Sequence, residues 1–174
     1  MTVVSDGNLD TKSDKPKVLV AYYSYSGNTR KVAKEIHRIV GGALVEIEPL
    51  EPYPGNYNAV VERAKQELHA GYRPELKTSV GDVASYDTIF VGSPNWWHTI
   101  APPLMAFLSA TDLSGKHIIP FITHGGGGLG RSAEDIAGLC PHANVLKSMA
   151  VYGADVKTAQ NWLSAHWPIQ HINP

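Results

Sequence analysis

A polar segment with a single glycine follows the first apolar run of the chain. The apolar run covers residues 17–23, and a helical pattern begins near residue 29. Unpaired N–H groups and the dipole at a helix N-terminus attract anions, and Gly27 allows a close backbone approach or a positive φ. The segment therefore predicts a phosphate site of neutral donors, although helix capping alone would explain the same residue types. Its residues are Ser24, Tyr25, Ser26, Gly27, Asn28 and Thr29.

A second segment places two tryptophans side by side after another apolar run. Because neighbouring residues seldom bury on one face, we expect one indole to pack under the loop and the other to stack on a flat ligand. The sequence does not indicate which indole does which. The residues of this segment are Pro94, Asn95, Trp96, Trp97 and His98.

A third segment is rich in glycine and follows a third apolar run. Such a composition also occurs in flexible linkers, but directly after a buried strand it suggests backbone donors facing a ligand edge. The segment comprises Thr123, His124, Gly125, Gly126, Gly127 and Gly128. The carboxyl ends of parallel strands meet at one rim of a sheet. The three segments together therefore predict a site for a planar mononucleotide.

Composition limits the other classes of function. The chain has 174 residues, is 43% hydrophobic and carries a formal net charge of −1, which suits one soluble domain. No basic stripe indicates nucleic acid binding, and no apolar stretch is long enough to span a bilayer.

Residues 1–16 are polar and predict a disordered tail without a signal peptide. With one cysteine, Cys140, and no leader, we expect a cytoplasmic protein.

Strand and helix patterns alternate along the rest of the chain. We predict strands at 17–23, 43–48, 87–92, 117–123 and 144–151, and helices at 29–40, 57–70, 101–110, 131–139 and 155–166. This alternation predicts an α/β fold in which a five-stranded parallel sheet lies between two layers of helices. Pro120 falls inside the fourth strand, where it removes a donor, so we expect a bulge or a strand end there.

The chain resembles the flavodoxin-like FMN-binding family, in particular bacterial short-chain flavodoxins with a Pro-Asn-Trp-Trp loop. The resemblance rests on VLVAYYSYSGNTRKVAKEI, YDTIFVGSPNWWHTIAPPLMAFL, DLSGKHIIPFITHGGGGLG and the helical ERAKQE stretch. It implies a three-layer sandwich with strand order 2-1-3-4-5 across residues 17–174. It also implies non-covalent FMN, with phosphate at residues 24–29 and the isoalloxazine between residues 94–98 and 123–128.

The family contains one-electron carriers and two-electron reductases. Dedicated carriers are usually strongly acidic, whereas this chain is nearly neutral. Carriers also often have a glycine after the third strand that supports a peptide flip, and residues 93–98 contain none. We therefore expect an NAD(P)H-dependent quinone-type oxidoreductase that stabilises half-reduced flavin weakly. A one-electron carrier serving a redox protein partner and a non-catalytic flavin-sensing module remain alternatives.

Within the reductase interpretation, His98 and His124 are candidate catalytic proton donors or charge stabilisers for the reduced flavin. Arg30 and Lys31 are candidates for additional charge near the phosphate, and Tyr53 and Tyr57 are candidates for the substrate wall. We assign no metal site. A homodimer remains open, because many such reductases build their site across a subunit interface.

Overall fold

The computed structural model describes residues 17–167. Its strands are β1 (Val18–Tyr22), β2 (Ala43–Glu46), β3 (Thr88–Trp96), β4 (Thr99–Ile100), β5 (His117–His124), β6 (Asn144–Val145) and β7 (Met149–Tyr152). Its helices are α1 (Asn28–Val40), α2 (Tyr57–Ala70), α3 (Pro102–Ala110), α4 (Ser132–Leu139) and α5 (Val156–His166). The predicted tail at 1–16 and the last residues of the predicted domain, 168–174, lie outside the described range.

The sheet has the predicted order of five positions, 2-1-3-4-5. Strands β2, β1, β3 and β5 lie side by side in parallel, and β6 and β7 share the fifth position beside β5. Residues 17–167 therefore form seven strands instead of the predicted five. The fifth position is divided in two, and β4 folds back antiparallel on the end of β3.

The division of the fifth position lies opposite Pro120. Strand β5 continues through this proline, which pairs with Val91 of β3, so the predicted bulge or strand end is absent from β5 itself. On the other side, the Ile118 carbonyl accepts from the Leu146 N–H at 2.8 Å, and regular pairing resumes only at Phe121. Residues two apart in a strand form hydrogen bonds to the same neighbouring strand. Pro120 comes two residues after Ile118, so the position where its N–H would be faces the gap between β6 and β7.

Helices cover both faces of the sheet. Successive side chains of a strand point to opposite faces, so each strand contributes to the core on both sides. Leu19 and Ala21 contact the core under α3 and α4, whereas Val20 contacts the core under α1 and α5. Both faces are apolar, as expected for a covered parallel sheet. Cys140 lies in the first core, and burial raises the pKa of its thiol to about 11, so it remains a protonated thiol at neutral pH.

Two strands extend into segments that were predicted as loops. Strand β3 continues through Pro94, Asn95 and Trp96, and β5 includes His124. The extension of β3 is stabilised by β4, whose Thr99 pairs with Trp96. In residues 17–167, no helix is long and apolar enough to cross a membrane.

Candidate functional site

A cleft of about 550 Å³ opens at the carboxyl ends of β1, β3 and β5. All three predicted segments reach it, which is the arrangement expected for parallel strands. Its lining from these segments is Tyr25, Ser26, Asn95, Trp96, Trp97, His98, His124, Gly125 and Gly127, and its lining from α2 is Tyr57, Val60, Val61 and Ala64. The volume lies within the ordinary range for small-molecule sites.

The first segment combines a helix cap with free backbone donors. The buried Ser24 hydroxyl accepts from the N–H groups of Gly27 and Arg30, each at 3.2 Å, so this side chain acts as a cap. Gly27 adopts φ +99°, which directs the chain into α1. Within residues 17–167, no protein group accepts from the N–H of Asn28 or Thr29. These two N–H groups are therefore available to an anion.

The Thr29 and Thr123 hydroxyls contact each other instead of lining the cleft. Both residues are buried, and their Oγ1 atoms lie 2.7 Å apart in a hydrogen bond that joins α1 to the end of β5. The sequence proposed both as cofactor-binding residues. Their hydroxyls act in positioning the two segments, while the backbone N–H of Thr29 remains a candidate donor.

We expect Thr29→Val or Thr123→Val alone to lower the free energy of unfolding by about 1–3 kcal/mol, because each leaves one buried hydroxyl without its partner. The double variant removes both hydroxyls and should cost less than the sum of the single variants. Urea denaturation of the four proteins without added cofactor measures this coupling. Additive losses would show that the two hydroxyls do not depend on each other.

The two tryptophans differ in their environment. Trp96 packs in an aromatic cluster, with ring centres 5.0 Å from Tyr53, 5.5 Å from Tyr23 and 5.9 Å from Tyr25. Trp97 is 43% exposed, and its Nε1 donates to the Val61 carbonyl of α2 at 3.0 Å. Trp96 is therefore the packed indole, and Trp97 is the indole presented at the rim.

Trp97 and His98 form the two-residue turn between β3 and β4. Their φ angles are +52° and +67°, as a type I′ hairpin requires, although such turns usually contain asparagine and glycine. The His98 carbonyl accepts from the Arg131 N–H at 2.6 Å, which holds the turn in place. A positive φ therefore occurs here without glycine. The absence of glycine from residues 93–98 therefore does not exclude this backbone conformation.

The glycine-rich segment is fixed to the second segment. The Asn95 Nδ2 donates to the Gly128 carbonyl at 2.8 Å, and a Cβ on Gly127 would lie 3.2 Å from the same Nδ2. His124 Nδ1 accepts from the Gly126 N–H at 3.1 Å. A neutral His124 ring therefore carries its proton on Nε2, which leaves that nitrogen as the donor of the ring.

Several other predicted residues have partners away from the cleft. The Tyr25 hydroxyl donates to the Pro54 carbonyl at 2.6 Å, although the side chain still lines the cleft. The Arg30 guanidinium pairs with Glu46, with its Nη2 2.5 Å from Oε1, so its charge is already compensated. Neither Gly27 nor Asn28 lines the cleft, and the same is true of Pro94, Gly126 and Gly128.

Helix α2 supplies a wall that sequence reasoning largely missed. Only Tyr57 was proposed there, and it is 76% exposed at the mouth of the cleft. The spacing of the small apolar residues Val60 and Ala64 was the available signal, because positions four apart share a helix face. This wall is fixed by a buried carboxylate: Glu67 accepts from the Tyr53 hydroxyl at 2.5 Å and from Arg63 Nε at 3.0 Å.

Tyr53 is buried behind Trp96 and does not line this cleft. Burial and the neighbouring Glu67 carboxylate raise the pKa of Tyr53 far above its ordinary value, so the phenol keeps its proton. Tyr53 therefore contributes no wall to this cleft. Among the described residues, no cluster of histidine, cysteine, aspartate and glutamate is suited to a metal ion.

Comparison with known proteins agrees with this geometry. The family model described as flavodoxin matches residues 17–166. A protein assigned as a flavoprotein from Bacteroides eggerthii is 32% identical, with 86% of this chain and 96% of that chain covered and a TM-score of 0.74. One from Bacteroides uniformis is 32% identical over 86% and 98%, with a TM-score of 0.77.

A more distant structure shares the fold. It is a flavoprotein in complex with FMN from Lactobacillus acidophilus, 23% identical over 83% of this chain and 97% of that chain, with a TM-score of 0.69. No curated protein matches the chain. Since the family model covers nearly all of the described residues and the two Bacteroides proteins match over most of their length, the chain belongs to the flavodoxin family.

Proposed function

We propose that the chain binds FMN non-covalently in the cleft and acts as a two-electron NAD(P)H-dependent oxidoreductase of the quinone reductase type. The observation that carries this proposal is the convergence of three strand-end segments on one cleft, with free N–H groups at a helix N-terminus and an exposed indole at the rim. The FMN complex of the Lactobacillus acidophilus flavoprotein supports the choice of cofactor.

The donor set fits a phosphate ester and a flat ring. The N–H groups of Asn28 and Thr29, with the Ser26 hydroxyl at the cleft surface, would hold the phosphate. The second segment, with Asn95 and Trp96 in the cleft lining, would face the ring from one side, and Gly125 and Gly127 allow a close approach from the other. The chemistry supplied by bound FMN would be acceptance of a hydride from NAD(P)H and delivery of two electrons to a quinone-like acceptor.

The two histidines differ in what they can donate. His124 lines the cleft with Nδ1 engaged by the Gly126 N–H, so Nε2–H is the proton that it can present. His98 lies in the exposed turn, where its carbonyl accepts from the Arg131 N–H, and its imidazole has no hydrogen-bond partner within residues 17–167. A ring whose Nδ1 accepts a hydrogen bond is neutral, so its Nε2–H can stabilise developing negative charge as a hydrogen-bond donor, and we assign this role to His124 first and to His98 second.

One-electron transfer to a protein partner is the second candidate function. The observation that favours it is the Trp97–His98 turn, where positive φ occurs without glycine, so the lack of glycine in residues 93–98 does not exclude a backbone flip there. The observation against it is the net charge of −1, which gives little electrostatic steering toward a basic partner.

Anaerobic reduction of the FMN-loaded protein tests the choice. We expect the visible spectrum to pass directly from oxidised to fully reduced flavin, and NADH or NADPH to support turnover with a quinone. Substantial accumulation of half-reduced flavin without quinone turnover would favour the electron carrier. Failure to retain FMN would overturn both flavin functions and favour a binding module. Equilibrium dialysis with FMN, performed first, separates this last outcome from the others.

A further inference from the structure

A lysine stands over the exposed indole at the edge of the cleft. Lys65 Nζ lies 5.3 Å from the centre of the Trp97 ring, within the range of a cation–π contact. The Trp97 Nε1 bond to the Val61 carbonyl holds the indole against α2, so the ring and the ammonium group form one surface. This surface continues into the apolar wall of α2.

The Lys65 charge has no acidic partner within 4.0 Å in residues 17–167. Glu62, one turn away on the same helix, accepts instead from Gln66 Nε2 at 3.3 Å. Arg63, the cation of α2 that is nearest to Lys65 in the sequence, pairs with Glu67. Lys65 therefore contributes an uncompensated positive charge at the rim.

Within residues 17–167, no carboxylate lines the cleft. Its lining consists of aromatic, aliphatic, glycine, serine, asparagine and histidine residues. A flat ligand against Trp97 and α2 would therefore meet apolar surface along its body and the Lys65 ammonium group at its edge. Such a surface disfavours cations and favours an aromatic ring that carries a negative group.

We propose that the surface formed by Trp97, Val61, Ala64 and Lys65 is the acceptor subsite, and that it selects flat aromatic acceptors bearing a carboxylate or sulfonate. The ring packs against Trp97 and α2, and the anionic group pairs with Lys65. This inference rests on the proposed function, because it names the class of acceptor used by that site. It assigns no role to Lys65 in holding FMN.

Binding of two redox-inert probes tests the inference without turnover. Naphthalene-2-carboxylate and naphthalene-2-carboxamide have the same ring and differ in charge. For the FMN-loaded protein, we expect the carboxylate to bind about fivefold more tightly at low salt, as for a partly exposed ion pair. Isothermal titration at low and high ionic strength should show that only the carboxylate loses affinity as salt rises.

Lys65→Met keeps most of the side-chain volume and removes the charge. We expect this variant to bind both probes with equal affinity, whereas Lys34→Met, which removes an exposed lysine of α1, should retain the wild-type preference. FMN dissociation constants are measured for all three proteins, so loss of cofactor is not mistaken for loss of the probe. The Lys34 variant also controls for the change in net charge.

The outcomes separate the two proposals. Retention of FMN with equal affinity of the wild-type protein for both probes overturns the acceptor class and leaves the proposed function standing. An unchanged preference in Lys65→Met likewise overturns the role of Lys65. Failure of the wild-type protein to retain FMN overturns the proposed function, and the inference that rests on it.

Discussion

Gly130→Ala should lower the free energy of unfolding by about 3 kcal/mol. Gly130 has φ +54°, and a Cβ built on it would lie 2.3 Å from the His98 carbonyl oxygen. A forced shift in a packed region costs about 1–3 kcal/mol, and the left-handed conformation adds about 1–2 kcal/mol for a residue with a Cβ. Because His98 belongs to the tight turn at the rim, the variant should also weaken FMN binding.

Gly128→Ala is the matched control for this variant. Gly128 has φ +64°, but a Cβ there would have no neighbour within 4 Å. It should therefore show only the conformational cost, about 1 kcal/mol. Urea denaturation of both variants gives the comparison. Equal losses would mean that the His98 backbone moves away from the new Cβ at no cost in free energy. The Trp97–His98 turn would then not depend on Gly130.

His124→Asn should lower kcat for quinone reduction by about 100-fold in the FMN-loaded protein. The asparagine Oδ1 can replace His124 Nδ1 as acceptor of the Gly126 N–H, so the glycine-rich segment keeps its anchor. The Nε2–H donor is lost, and removal of one hydrogen-bond donor aimed at charge that develops in the transition state commonly lowers kcat by about 10²–10³-fold. Stopped-flow measurement of the acceptor half-reaction isolates this step from reduction by NAD(P)H.

His124→Gln is the complementary variant. Its amide nitrogen lies near the place of Nε2 and can donate a hydrogen bond, but the Nδ1 acceptor is gone. If His124 acts by releasing a proton, Gln should be as slow as Asn, because an amide does not release one. If hydrogen-bond donation suffices, only Asn should be slow. Full activity of both variants would show that His124 is not catalytic, and FMN affinity reports any loss of anchoring.

Most of the fold could be predicted from the sequence because its signals are local and repeated. The apolar run at 17–23 and the helical pattern at 29–40 correspond to β1 and α1 with small boundary shifts, and the predicted helix at 57–70 has the bounds of α2. The same alternation placed the three polar segments at one edge, since parallel strands end on the same side. The meeting of these segments in one cleft follows from topology alone.

The details that the sequence did not reveal depend on contacts between distant residues. Strand β3 extends to Trp96 because β4 pairs with it, and nothing within residues 93–98 shows this pairing in advance. The Thr29 and Thr123 hydroxyls are 94 positions apart in the sequence and contact each other only in the folded chain. A residue type suited to ligand binding is therefore also suited to joining two segments, and only the fold distinguishes these uses.

The positive φ values at Trp97 and His98 were unpredictable for a different reason. Intrinsic preference favours glycine at such positions, but tertiary bonds compensate for its absence. The Trp97 indole bonds to Val61, and the His98 carbonyl bonds to the Arg131 N–H. Such bonds supply the conformation that the local sequence disfavours, so a missing glycine does not by itself exclude it.

The gap opposite Pro120 also determines what the β6–β7 edge of the sheet presents to other molecules. An exposed edge strand can recruit a strand from another chain through its unpaired N–H and C=O groups. Here the edge consists of β6, two residues long, and β7, four residues long, separated by residues 146–148. Neither piece gives an incoming strand a long continuous template. By interrupting its neighbour, a proline inside the sheet thus helps to protect this chain from edge-to-edge aggregation.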